Sequence, residues 1–184
     1  MSDVSDEILI ALAGAGDRAA YRALVDRHLT RMVGIAQRML GNRADAEDVT
    51  QEAFLRIWTH APRWQADRAR FTTWAYRILM NLCLDVKRRP MGASLEGIAE
   101  PEDPAPDAME ALNRQQTWRH VHHAMATLPD QQRAAIALCY YEGLSNAEAA
   151  EVLSVTVGAI ESLLVRARRR LRELLRPRMV EQEE

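Results

Sequence analysis

The side chains best suited to chemistry on another macromolecule lie in two short runs near the end of this 184-residue chain. The first begins at Ser145, with Glu148 three residues on, a reciprocal capping pair that predicts the start of a helix. Ser154-Val155-Thr156 interrupts that helix, and the Thr156 hydroxyl is placed to cap the next one. In the second helix Ile160, Leu164, Ala167, Leu171 and Leu174 recur at helical spacing and predict a buried face. The opposite face carries Glu161, Ser162, Val165, Arg166, Arg169 and Arg172. A short helix, a tight turn and a second helix with outward arginines and small side chains describe a helix-turn-helix, its second helix sized for the major groove. The plainer alternative is an arginine-rich solvated helix. The pattern implies a chain that reads DNA.

The formal net charge of −2 looks wrong for such a role until it is divided along the chain. Residues 1–90 carry 14 basic and 11 acidic groups, residues 91–111 six acidic and none basic, and residues 158–178 seven arginines against Glu161 and Glu173. Phosphate responds to local charge, so the average hides a basic helix and an acidic connector. Lys87 is the single lysine, and arginine's planar fork suits phosphates and guanine edges. Cys83 and Cys139 are isolated on apolar positions and suggest neither a disulfide nor a zinc site. His120, His122 and His123 cluster without a carboxylate or cysteine to complete a ligand set, so a surface helix explains them and no metal or other cofactor is expected. No signal peptide or long apolar run is recognisable, which predicts a soluble cytoplasmic protein with no membrane insertion.

Positioning these residues requires helices throughout. The stretch from Pro90 to Asp107, with Pro101, Pro104 and Pro106 and no basic residue, reads as a flexible acidic linker. Both sides read helical, giving an all-α chain of two helical domains: residues 1–90, a linker over 91–111, a second domain over 112–178 and an acidic tail over 179–184. In the first domain, helices are predicted over about 5–13, 17–40 (ending at Gly41), 43–60 and from Thr72 or Thr73 to about Arg89. On the third, Val49, Ala53, Phe54, Ile57 and Trp58 fill the arc expected to face the core. Asp48, Gln51 and Glu52 flank Leu55 on the other arc, which fits either a protein-docking stripe or an ordinary surface with one exposed leucine. On the fourth, Ala75, Tyr76, Leu79, Cys83 and Val86 make the buried side. Trp74, Arg77, Ile78, Asn81, Asp85 and Arg88 line the other, which suits either unpaired bases and phosphate or a neighbouring helix.

Asp48-Val49-Thr50-Gln51-Glu52-Ala53-Phe54-Leu55-Arg56-Ile57-Trp58 and Phe71-Thr72-Thr73-Trp74-Ala75-Tyr76-Arg77-Ile78, with Asn81 and Asp85 to Arg89, resemble the sigma-2 domain of extracytoplasmic-function RNA polymerase sigma factors of the sigma-70 family. Leu128-Pro129, the approach through Tyr140, Glu142, Gly143 and Leu144, and the helix-turn-helix resemble the sigma-4 domain. The opening run Asp17 to His28 fits as well, so the likeness covers roughly residues 5–175 in family order. It implies an alternative sigma factor that binds core RNA polymerase through Asp48, Gln51, Glu52 and Leu55. It further implies that Arg63, Trp64, Arg68, Arg70, Trp74, Arg77, Asn81, Lys87 and Arg88 meet the minus-ten element, where a base is flipped from the duplex. Thr156, Glu161, Ser162, Val165, Arg166, Arg169 and Arg172 would meet the minus-thirty-five element. Family members are commonly held inactive by an anti-sigma factor and serve stress responses, which adds such a partner to polymerase and promoter DNA. No small-molecule substrate is implied.

Glu161 departs from the pattern, since many members carry a basic residue there. A glutamate can accept a hydrogen bond from cytosine N4, so promoter preference does not carry over from relatives. Two rival readings remain. A helix-turn-helix regulator acting without polymerase would need a ligand pocket or phospho-acceptor domain in residues 1–90, which show neither a βα pattern nor a glycine-rich site. An enzyme acting on nucleic acid would need paired carboxylates, a Cys/His set or a phosphate loop at working spacing, and none is found.

Overall fold

A computed structural model describes residues 4–65, 70–88 and 120–175, which are helical throughout, with no strand among the described residues. The acidic linker over 91–111, the tail over 179–184 and Arg68 lie outside the described residues. Helix α1 spans Asp6–Gly14 and is capped by Ser5, whose hydroxyl accepts the Ile8 amide. Helix α2 (Arg18–Leu40) begins at Asp17, whose carboxylate accepts the Ala19 and Ala20 amides, and ends at Gly41, at a φ of 88°. Few side chains tolerate that left-handed conformation, so glycine stops the helix there. Helix α3 (Arg43–His60) starts at the Asn42 cap and runs into a 3₁₀ turn, Ala61–Arg63.

Helix α4 (Phe71–Arg88) begins one or two residues before the sequence expectation. Phe71 is fully buried, its ring lies 5.2 Å from His28, and its amide donates to Glu7 Oε1 at 3.4 Å. A carboxylate from α1 thus satisfies an orphan N–H of α4 and complements its dipole. Asp6 ties α1 to α2 in the same way, at 2.8 Å from Arg27 and 2.7 Å from His28. Tyr21 joins α2 to α3 by donating to Phe54 O at 2.7 Å while its ring packs on Trp58. Val49, Ala53, Phe54 and Ile57 are buried as the periodicity predicts, and Trp58 is half-buried at the edge of that arc.

In the second half, α5 occupies residues 120–126 and α6 Asp130–Ile136. Helix α6 widens into a π-turn, Ala137–Tyr141, closed by the Glu142 amide on Ala137 O at 3.2 Å. Helix α7 (Asn146–Leu153) carries the predicted capping pair: Ser145 Oγ accepts the Glu148 amide while Glu148 accepts from the Ser145 amide. The Ser145 amide and hydroxyl, both donating to that carboxylate, hold the Glu148 carboxyl below its ordinary pKa. Ser154 sits at a φ of 55°, making the sharp turn into α8 (Val157–Leu175), where Thr156 Oγ1 accepts the Ala159 amide. Ile160, Leu164 and Ala167 are buried, Leu171 is half-buried and Leu174 is exposed, a correction to the predicted face. Burial fades along this face, from Ile160 and Leu164 through Leu171 to Leu174.

The two halves share one hydrophobic core that runs from Leu9 and Leu24 through Leu79 to Leu138 and Ile160. Arg133 pins the junction. It is only 3% exposed, and its guanidinium donates to the carbonyls of Met125, Ala126 and Leu128 beside α5 and of Met39 near the end of α2.

Close packing makes one glycine irreplaceable. A Cβ on Gly14 would stand 2.7 Å from the carbonyl oxygen of Ala61, a backbone atom that cannot swing aside. Gly14→Ala should therefore destabilise the chain by about 1–3 kcal/mol, as overpacking does. Gly158→Ala, with nothing within 4 Å, should stabilise it by about 0.5 kcal/mol. Urea denaturation followed by far-UV circular dichroism compares them, and equal midpoints for the two variants would contradict the packing described.

Candidate polymerase and nucleic-acid interfaces

Three faces emerge from this framework. The first lies on α3. Because Val49, Ala53 and Ile57 point inward, Asp48, Gln51, Glu52 and Leu55 point outward, and all four are exposed, Leu55 at 57%. Glu52 pairs with Arg56 one turn on at 2.8 Å, which leaves Leu55 beside a charged pair rather than among free acids. Asp48 and Gln51 also form one wall of a groove between α2 and α3, opposite Val25, Leu29 and Gly34.

The second face lies along the outer side of α4 and the segment leading into it. Arg63 and Asn81 are exposed, and Trp64 and Trp74 are half-buried. Trp74 meets Phe71 edge-on at 6.2 Å. Arg88 reaches Asp85 at 3.7 Å on an exposed turn, a pair worth little. The remaining basic residues are engaged elsewhere. Arg70 lies 3.3 Å from Glu148, Arg77 donates to the carbonyl of Glu151 at 3.1 Å, and Lys87 lies 3.1 Å from Asp130. Of the two sequence readings of this side of α4, packing on a neighbouring helix is what the structure contains, and the neighbour is α7.

The third face belongs to α8. Thr156, Glu161, Ser162, Val165, Arg166, Arg169 and Arg172 are all exposed. Arg166 donates to Ser162 O at 3.2 Å along its own helix, and Arg169 only approaches Glu173, at 3.9 Å. Val165 is 56% exposed in the middle of this face, an uncovered apolar side chain of the size a thymine methyl accepts. The capped turn fixes the angle between α7 and α8, so the α8 face projects from a rigid base.

Two residues important at the junction escaped the sequence reading. Arg133 stands next to the small apolar run Ala134-Ala135-Ile136, and nothing in that pattern announces a guanidinium bonded only to carbonyls. Glu142 was noted only as part of a motif. Its side chain is 6% exposed, 3.2 Å from Arg31 and 3.9 Å from Arg38. Tyr76 donates to it as well; burial first, and then the Glu142 charge, push the Tyr76 hydroxyl up to about 12. Among the described residues no cluster of His, Cys, Asp and Glu could hold a metal, and no helix is long and apolar enough to cross a membrane.

The described residues thus combine a capped helix-turn-helix whose outer face is exposed with a separate exposed stripe on α3. Residues 24–90 match the profile of Sigma-70 region 2, and residues 119–171 match that of Sigma-70, region 4. The chain is 31% identical over 172 residues to the ECF RNA polymerase sigma factor SigW of Bacillus subtilis, covering 88% of this chain and 91% of SigW. It is 36% identical over 169 residues to SigE of Mycolicibacterium smegmatis, covering 87% of this chain but 64% of that longer relative. The fold matches CnrH, solved in complex with the cytosolic domain of CnrY, at a TM-score of 0.72 and 29% identity, over 94% of this chain and 98% of CnrH. It also matches RpoE of Bartonella quintana, solved with the anti-sigma factor NepR, at 0.69 and 25%, over 85% and 96%. The chain belongs to the extracytoplasmic-function (ECF) RNA polymerase sigma factors.

A recognition helix divides its labour along its length, residues near its start reaching base edges and later ones meeting the backbone. Arg169→Ala should weaken all target duplexes alike and lower the salt slope by about one unit. Glu161→Arg should instead change the preferred sequence, each altered base pair being worth about 1–3 kcal/mol. Selection from a promoter library reads both, and an unchanged sequence logo for Glu161→Arg would show that this residue reads nothing.

Proposed function

We propose that this chain is an alternative sigma factor that binds core RNA polymerase in the cytoplasm and directs it to promoters, acting as an initiation factor rather than an enzyme. The observation that carries this reading is the pairing, on one chain, of an exposed Asp48–Gln51–Glu52–Leu55 stripe with an exposed α8 reading face, each in the region whose family profile it matches. Residues 1–90 form the polymerase-binding and minus-ten domain, 112–178 the minus-thirty-five domain, with 91–111 between them and 179–184 beyond.

In this scheme the α3 stripe docks on polymerase through Leu55, with Asp48, Gln51 and Glu52 supplying charge and hydrogen bonds around it. An apolar anchor ringed by polar groups is a common energetic centre of an interface. Thr156, Glu161, Ser162, Val165, Arg166, Arg169 and Arg172 engage the minus-thirty-five duplex and set register. Arg63, Trp64, Arg68, Arg70, Lys87 and Arg88 follow the backbone of the minus-ten strand, and Trp74, Arg77 and Asn81 hold a base turned out of the stack. Unstacking a base costs a few kcal/mol, which ring stacking and hydrogen bonds at the pocket offset. An anti-sigma factor restrains the chain, a reading supported by the similarly folded RpoE, solved with the anti-sigma factor NepR.

Leu55→Ala and Glu52→Arg should weaken binding to core polymerase while shifting stability by no more than about 0.5 kcal/mol, since both side chains are exposed. Titration of labelled chain with core enzyme is the measurement. Unchanged affinity with a normal circular dichroism spectrum would remove the α3 stripe from the interface and favour a helix-turn-helix regulator that works without polymerase.

Asn81→Ala should spare initial promoter binding and impair strand opening, because Asn81 is exposed on the α4 face assigned to the flipped base. Permanganate footprinting of unpaired thymines at saturating holoenzyme distinguishes the two steps. A normal bubble would take Asn81 out of the pocket.

A further inference from the structure

Val157, Glu161 and Val165 follow one another at four-residue intervals in α8, so they stand in a single row on its surface. All three are exposed, Val157 at 43% and Val165 at 56%. Arg168 and Arg172, also exposed, continue the same side of the helix. The row therefore changes its chemistry along its length, from methyl groups around a carboxylate to guanidiniums.

Glu161 is the unusual member. Along a helix, the residues three and four positions away are those that can pair with it. Here they are Val157, Gly158, Leu164 and Val165, none of them a cation. The nearby arginines turn their Nε donors to their own helix, Arg166 to Ser162 O at 3.2 Å and Arg168 to Leu164 O at 3.3 Å. Glu142 and Glu148 in the same half are held by arginines, but among the described residues Glu161 has no hydrogen bond or ion pair.

A carboxylate pressed without a partner against a polyanion is unfavourable, so this position favours a duplex that offers it a donor. In the major groove cytosine N4 and adenine N6 are donors, whereas guanine presents O6 and N7 and thymine presents O4, all acceptors. Adenine sets its N7 acceptor beside its donor, which leaves cytosine as the better match. The valines on either side offer only methyl groups, whose complement is the C5-methyl of thymine. Neighbours in the row are about 6 Å apart along the helix axis, on the order of two base steps.

We propose that the Val157–Glu161–Val165 row is the sequence filter of α8. Glu161 requires cytosine and rejects guanine and thymine at one position, while Val157 and Val165 select thymine methyls about two base steps to either side. Val157 thereby joins the specificity-determining residues. The proposal rests on the sigma-factor reading for the identity of the duplex, the minus-thirty-five element; the base chemistry belongs to α8 itself.

The test selects duplexes from a randomised library with the full chain, alone and bound to core RNA polymerase. The wild type should enrich a cytosine flanked by thymines. Glu161→Gln, which can donate as well as accept, should lose the cytosine, keep the thymines and bind unrelated duplexes more tightly, since a like charge is gone. On the enriched duplex, exchanging the C·G pair for G·C should weaken wild-type binding roughly tenfold or more and leave Glu161→Gln nearly unaffected. Deoxyuridine in place of the thymine facing Val157 removes a single methyl group. It should weaken the wild type by about fourfold and Val157→Ala not at all. Circular dichroism checks that each variant keeps its helices. The same logo for wild type and Glu161→Gln, or equal deoxyuridine penalties for wild type and Val157→Ala, would overturn the row. A cytosine–thymine logo from the chain alone, with no gain on adding core polymerase, supports the row and overturns the polymerase role. Polymerase-dependent binding with a logo indifferent to Glu161 overturns the row alone, and no enrichment by either form overturns both.

Discussion

A guanidinium withdrawn from water must find acceptors for its N–H groups, and at Arg133 that need fixes how the two halves of the chain meet. Burial disfavours its charged form and lowers its pKa, with Asp130 opposing the shift, yet arginine does not surrender its proton in a protein. The acceptors it finds are carbonyls left over at helix ends: those of Met125, Ala126 and Leu128 at the close of α5, and that of Met39 at the close of α2. Helix C-termini carry partial negative charge and unsatisfied oxygens, so one cation answers two deficits at once. Without Met39 a donor of Arg133 would be orphaned in the core. The position of α6, and with it of the π-turn and α7, follows from this.

The faces assigned to partners are polar or isolated because the inner faces of the same helices are heavily committed. Helix α3 gives Val49, Ala53, Phe54 and Ile57 to the core, which leaves Asp48, Gln51 and Leu55 no inward option. Helix α8 gives Ile160, Leu164 and Ala167, which aims Glu161, Val165 and Arg169 at solvent. Helix α4 differs. It buries Phe71, Ala75, Tyr76, Leu79 and Cys83 and sets Arg77 against α7, while Asn81, Asp85 and Arg88 further along stay exposed.

Helix limits were legible because local chemistry decides them. Ser145 caps α7 with Glu148 as their spacing predicts, Gly41 stops α2, and Thr156 opens α8. The α3 stripe and the α8 reading face were legible for a related reason: each follows from the phase of one helix. What could not be read was any contact between the halves. Periodicity along α4 marks which side is apolar, but not which neighbour covers the other side, and the Arg77–Glu151 contact joins residues 74 positions apart. Glu142 illustrates the limit. A glutamate before Gly143 reads as a solvated loop residue, and only the arrival of Arg31, Arg38 and Tyr76 makes its burial tolerable.

The π-turn at Ala137–Tyr141 gives this arrangement an unusual point of adjustment. Such a turn holds one residue more than the α-helix it interrupts. The widened turn absorbs that residue, so the chain beyond it keeps nearly the direction that a regular helix would give it. Deleting one residue within Ala137–Tyr141 would therefore restore regular winding, with the amide of the next turn moving back to a carbonyl four residues earlier, and would leave α7 and α8 facing the neighbours they have now. Length changes of one residue are tolerated at this place where they would re-aim a side chain anywhere else in the helix.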